Sequence, residues 1–247
     1  MKTNYHLNAT NALLLALGLI CLSACQSARM ARPAGLGAQT TEWQVQGRAG
    51  FNFDGDFSFG PCLVQDVHRG WKKTTRFGII IGKADLSRGW AKEQYEFTLK
   101  RSDGERPCVA QCAVGMDWKE ADFDRFLGGR LEMTLMPATT LAAVFDYGTN
   151  APAWKIAAGQ KGEDMTLSGV LSDGSRTITV RGTRELEGTP IALTEASGYV
   201  FYLGQKVVGA VDVVNEGSVM ADPSLPPDMR DALCAASAAL LLYRELK

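Results

Sequence analysis

The sequence predicts a mainly β protein: an antiparallel barrel of about twelve strands around a buried hydrophobic C-terminal helix. A β-sandwich with a flanking C-terminal helix is the alternative. Three observations lead to this class. Short runs of β-branched and aromatic residues recur along the chain, with turn residues between them roughly every 8 to 14 positions. The segment 232–243 is apolar or small on every face, which suits a helix enclosed on every side. The chain is 46% hydrophobic, with 26 basic against 27 acidic residues. That balance supplies a sizeable core and excludes disorder. It also argues against nucleic acid as a partner, which calls for a concentrated basic face.

In chain order, the first element is a leader. Lys2 precedes an apolar run over 12–22, the length of a secretory h-region and too short to span a bilayer as a helix. The run closes on Leu22-Ser23-Ala24-Cys25, which resembles the lipobox of bacterial lipoproteins. The resemblance implies a signal peptide over 1–24, cut before Cys25, with a diacylglycerol on the Cys25 sulfur and a further acyl chain on its new amine. Several chains on one residue give stable anchoring, since each buried methylene contributes roughly 0.8 kcal/mol. Gln26 follows where the sorting rule of Gram-negative lipoproteins uses Asp for inner-membrane retention, so the resemblance implies the outer membrane. Residues 25–41 then read as the lipidated cysteine and a flexible Ala-, Gly- and Gln-containing tether with a reach of roughly 20 Å.

Residues 42–247 form the expected single β-rich domain. Phe51, Phe53, Phe57 and Phe59 alternate with polar residues around Asp54-Gly55, a hairpin signal. Strands are predicted over 43–49, 63–67, 76–81, 94–100, 130–136, 141–147, 153–158, 165–171, 176–182, 198–203, 206–214 and 218–221. Asp103-Gly104 and Asp173-Gly174 lie between such runs, as tight turns require. Pro226-Pro227-Asp228 signals a helix start, and a helix is predicted over 228–246. A dozen antiparallel strands followed by one enclosed apolar helix resembles the tubby-like barrel of tubby, LURP-one-related proteins and phospholipid scramblases. Gly204-Gln205-Lys206-Val207-Val208-Gly209-Ala210-Val211 looks like the late strand pair of the LURP-one group. The resemblance lies in the order of elements and carries no binding residue with it.

Beyond Cys25, the mature chain holds Cys62, Cys108, Cys112 and Cys234, four disulfide candidates in an oxidising envelope. Cys108 and Cys112 lie four positions apart in a predicted strand, about 13 Å, so they share a face without reaching each other. Cys62 bridged to Cys108 or Cys112 is the favoured pairing, and Cys234 fits equally as a buried free thiol. A zinc site is disfavoured by the CxxxC spacing and by His68 being the mature chain's single histidine.

The sequence carries no Gly-x-Ser-x-Gly, Ser-x-x-Lys, HExxH or nucleotide-type glycine loop, so no catalytic residue, metal or cofactor is assigned. Asn52-Phe53-Asp54-Gly55-Asp56 has alternating oxygen ligands but lacks the calcium-loop order, and Glu120, Asp122 and Asp124 read as a charged turn. One cluster remains. His68, Arg69, Trp71, Lys72, Lys73 and Arg76 form a basic stretch around an aromatic, read as an exposed loop able to contact an anion or a lipid headgroup. The expected function is that of a membrane-anchored envelope lipoprotein with a non-catalytic role, binding a protein partner or a lipid surface. An envelope hydrolase using carboxylates and an apolar-ligand carrier with a hollow barrel are the alternatives.

Overall fold

The computed structural model describes residues 27–48, 55–70, 93–102, 107–115, 140–148, 152–160 and 166–243. Among them are twelve strands: β1 (Thr41–Gln46), β2 (Phe57–Phe59), β3 (Cys62–Arg69), β4 (Glu93–Arg101), β5 (Cys108–Val114), β6 (Thr140–Asp146), β7 (Trp154–Gln160), β8 (Leu167–Ser172), β9 (Thr177–Thr183), β10 (Gly198–Leu203), β11 (Lys206–Asp212) and β12 (Ser218–Ala221). One helix, α1 (Pro227–Leu242), follows them. Each strand pairs antiparallel with its neighbour in sequence, and β1 pairs with β12, so the sheet is a closed up-and-down barrel. Closure removes the edge strands that an open sheet must protect.

The barrel is the predicted class, and its interior is filled. Tyr95, Phe97 and Leu99 of β4 alternate inward, as do Leu141, Ala143 and Phe145 of β6 and Ile178 and Val180 of β9. These side chains meet α1, in which 12 of 16 residues are buried, among them the consecutive run from Ala232 to Leu242. A helix inside a sheet cylinder has no solvent side, which explains the missing polar stripe. Its alanines keep it narrow, and the wall is trimmed to match. At Gly209 a Cβ would stand 2.6 Å from Leu233 Cδ1 and 2.7 Å from the Met220 carbonyl oxygen, so only glycine fits there. No described helix is long and apolar enough to cross a membrane.

The outer surface differs around the circumference. In β9, Thr177 and Arg181 point out to solvent. In β5 to β8 the outward layer, with Ala113, Ala142, Ala157 and Val170 side by side in register, is buried as well.

The expected flexible tether is ordered in its described part. Met30 is 2% exposed and packs with Ala210 and Met220 on the outside of β11 and β12. Its N–H donates to Asp212 Oδ2 (3.0 Å), the Ala31 N–H to the Glu185 carbonyl (2.9 Å), and the Glu187 N–H to the Arg29 carbonyl (2.9 Å). Two large apolar residues in a small-residue tract, Met30 and Leu36, supply what a coil lacks, namely surface to bury. Residues 27–40 are thus part of the domain rather than a spacer before it.

Candidate functional site

The polar chemistry of the described residues concentrates at the two ends of the enclosed helix. At its N-terminal end, Asp228 and Asp231 lie in the first turn and a half, where the helix dipole favours negative charge. Each meets an arginine from the wall. Arg176, in the turn before β9, pairs with Asp228 and with Asp173, and its guanidinium sits 5.1 Å above the Trp154 ring. Arg101, the last residue of β4, pairs with Asp231. The Asp173 carboxyl is raised by burial, but the N–H groups of Arg176 and Ser175 and the Arg176 side chain outweigh this and hold it well below the ordinary carboxylate range.

At the C-terminal end the helix has no basic residue in its last turn, and the wall provides two. Arg48, beyond the end of β1, donates from Nε to the Leu241 carbonyl (3.1 Å). Its Nη1 donates to the carbonyls of Asn215 (2.8 Å), Glu216 (3.1 Å) and Val213 (3.3 Å). Arg69 Nη2 donates to the Leu242 carbonyl (3.1 Å) while Nη1 pairs with Glu93, and the guanidinium lies 5.4 Å from the Tyr95 ring centroid. Carbonyls left open at a helix end are therefore closed by guanidinium donors. Burial lowers the Arg48 pKa, and the charge of Asp212 acts in the opposite sense. Burial likewise raises that of Asp212, whose oxygens receive the N–H groups of Val214 and Met30. In the last turn of the helix, Tyr95 Oη donates to the Ala239 carbonyl (2.7 Å).

Beside the Arg48 end lies a polar cleft of about 340 Å³, lined by Ser27, Arg29, Gln44, Asp212, Asn215 and Glu216. Asn215 Nδ2 donates to the Ala28 carbonyl (2.9 Å), tying the N-terminal segment to this end of the barrel. The buried carboxylate of the cleft is held by backbone donors, so it orders the chain around it.

The sequence-predicted residues fall as follows. Cys25, Trp71, Lys72, Lys73 and Arg76 lie outside the described residues, as do Asn52, Asp54, Glu120, Asp122, Asp124 and the predicted strands 76–81 and 130–136. His68 and Arg69 belong to β3 rather than to a loop. His68 is exposed opposite Glu96, with Nδ1 2.6 Å from the Asp66 carbonyl. Arg69 faces the helix end instead of an external anion.

Cys62, Cys108, Cys112 and Cys234 are free thiols and all are buried. The favoured Cys62 pairings are barred by strand order. β4 lies between β3 and β5, which separates Cys62 from both Cys108 and Cys112 by two strand spacings, roughly 9.5 Å, against the roughly 7 Å Cα limit of a disulfide. Cys62 contacts Cys234 of α1 instead. Among the described residues no group of three or more His, Cys, Asp or Glu could hold a metal ion.

Sequence reasoning did not single out Arg48, Arg101, Tyr95, Asp212 or Met30. Each has a partner more than a hundred positions away, and no local pattern marks it. No family model matches the chain, and neither a curated protein nor a solved structure matches it.

Proposed function

We propose that this chain is a lipid-anchored envelope protein, held to the outer membrane of a Gram-negative bacterium through acylated Cys25, with a non-catalytic binding or structural role exercised from the outside of its barrel. The single observation that carries the role is the filled interior: a carrier needs a lumen, and α1 occupies the one enclosed by the twelve strands. The lipobox Leu22-Ser23-Ala24-Cys25 supports the anchor.

On this reading the protein has a membrane-facing end. Two residues of chain span at most about 7 Å, so an anchor on Cys25 stays that close to Ser27 in the cleft wall. Arg48, Arg69 and the C-terminal end of α1 sit at the same end of the barrel. So does Gly70, from which the chain continues to Trp71, Lys72, Lys73 and Arg76. An anionic leaflet attracts a Lys or Arg near its surface by about 1 kcal/mol, which applies to Lys72, Lys73 and Arg76.

The test is intact-mass analysis of the protein extracted from membranes. The expected species begins at Cys25 and carries the mass of a diacylglycerol plus an amide-linked acyl chain, and Cys25→Ser leaves an unprocessed precursor. A mature N-terminus elsewhere, or an unmodified Cys25, overturns the anchor. Native mass spectrometry of the same preparation tests the role. Protein free of bound metabolite or of lipid beyond its own anchor agrees with a filled barrel, and a stoichiometric internal ligand contradicts it.

A further inference from the structure

We infer that Cys62 and Cys234 form a disulfide that fastens the enclosed helix to the barrel wall. Three placements converge on this pair. Cys62 opens β3 and stands directly across from Arg101 of β4, so the two side chains share the inner face. Arg101 pairs with Asp231, and Cys234 is three residues on from Asp231, on the same face of α1. The ion pair therefore holds one turn of the helix against the strand position next to Cys62. Both cysteines are 1% exposed, and their thiols are close neighbours. Cys108 and Cys112 are set apart from Cys62 by β4, and their thiols meet the hydroxyls of Tyr147 and Tyr95.

The chemistry is thiol–disulfide exchange with a small disulfide such as oxidised glutathione. The Cys62 thiolate attacks one glutathione sulfur and expels the other as a thiolate, giving a mixed disulfide. The Cys234 thiolate then attacks the Cys62 sulfur and expels the second glutathione. Two protein thiols are oxidised, one glutathione disulfide is reduced, and the two protons end on the two released glutathiones. In the folded chain, the Cys234 contact and burial push the Cys62 thiol far above its ordinary range, and the site is closed to solvent. The bond accordingly forms while α1 is entering the barrel and is then sealed against reduction. The loop it closes contains every strand from β3 to β12, the long-loop case in which constraint of the unfolded chain is greatest. The fold selects the pair, and the compartment decides only whether an oxidant is present.

The experiment refolds the reduced, denatured full chain with a glutathione redox couple, labels remaining thiols with iodoacetamide, and maps peptides without reduction. The expected result is a Cys62–Cys234 cross-linked peptide with Cys108 and Cys112 labelled. Label on both Cys62 and Cys234, or Cys62 linked to any other cysteine, overturns the proposal. A second readout needs no variant to fold: the melting midpoint of the refolded protein falls by several degrees after reduction under mild denaturant. A midpoint indifferent to reductant overturns the proposal as well. In Cys62→Ser/Cys234→Ser the midpoint no longer responds to reductant, whereas in Cys108→Ser/Cys112→Ser it still does.

Discussion

The two ends of the enclosed helix are held by the same chemical group in opposite ways. At the N-terminal end, wall arginines meet carboxylates that belong to the helix, Arg176 with Asp228 and Arg101 with Asp231. At the C-terminal end, wall arginines meet the helix backbone itself, Arg48 at Leu241 and Arg69 at Leu242. The first arrangement is partly in water, with Arg176 and Asp228 side chains 42% and 51% exposed. The second is most enclosed at Arg48, 7% exposed, with the Arg69 side chain 18% exposed. Exposure decides which end carries the energy. A surface ion pair gains little over its hydrated parts. A buried carbonyl that loses its only donor cannot recover it from solvent.

The largest expected effect is therefore at the more enclosed end. Arg48→Ala leaves the buried Leu241 carbonyl and the part-buried carbonyls of Asn215 and Glu216 without this donor, at an expected cost of about 3 kcal/mol from the loss of these charge-assisted bonds. Denaturant melts of wild type and variant measure it, and a loss below about 1 kcal/mol would show that water enters this end. Next comes the Arg101–Asp231 pair, with side chains 11% and 31% exposed. A double-mutant cycle with alanine at both positions is expected to give a coupling of about 1–2 kcal/mol. At the exposed pair, Arg176→Ala is expected to cost about 0.2–1 kcal/mol, diminishing in high salt.

The carboxyls beside the two ends shift in opposite directions, Asp173 down and Asp212 up. The Asp173 carboxyl, in contact with Arg176, has its folded pKa depressed below 3.8. Its contribution is present above that unfolded value and is lost as pH falls through and below it. Lowering the pH from 6 to 3 is expected to weaken the N-terminal end in wild type and to do so less in Asp173→Asn. Equal acid sensitivity in both proteins would remove Asp173 from the account.

How far these features could be read in advance follows from their range along the chain. β10 and β12 have the bounds predicted, 198–203 and 218–221, because alternation and flanking turns are local. The helix, predicted over 228–246, was legible at its start from Pro226-Pro227-Asp228 and through its interior from uniform apolarity. Its acidic first turn was legible too. Its C-terminal caps were not, since Arg48 and Leu241 are 193 positions apart and nothing near either marks the other. The cysteine pairing failed for a similar reason. Four thiols and a strand periodicity give faces but not strand order, and one intervening strand moves Cys62 from Cys108 to Cys234. The tether was misread because composition weighs the many small residues of 27–41, while two side chains, Met30 and Leu36, pack the segment onto the barrel.

Both helix ends matter only because the helix between them is enclosed, and hydrogen exchange tests that most directly. A helix threaded through a closed barrel cannot open without opening the wall. The slowest amides of residues 232–241 are expected to exchange with the same opening free energy as the central amides of β10 and β11, equal to that of global unfolding. Helix amides that exchange through a separate, cheaper opening while those strands stay protected would contradict it, and would describe a helix lying against the barrel instead of inside it.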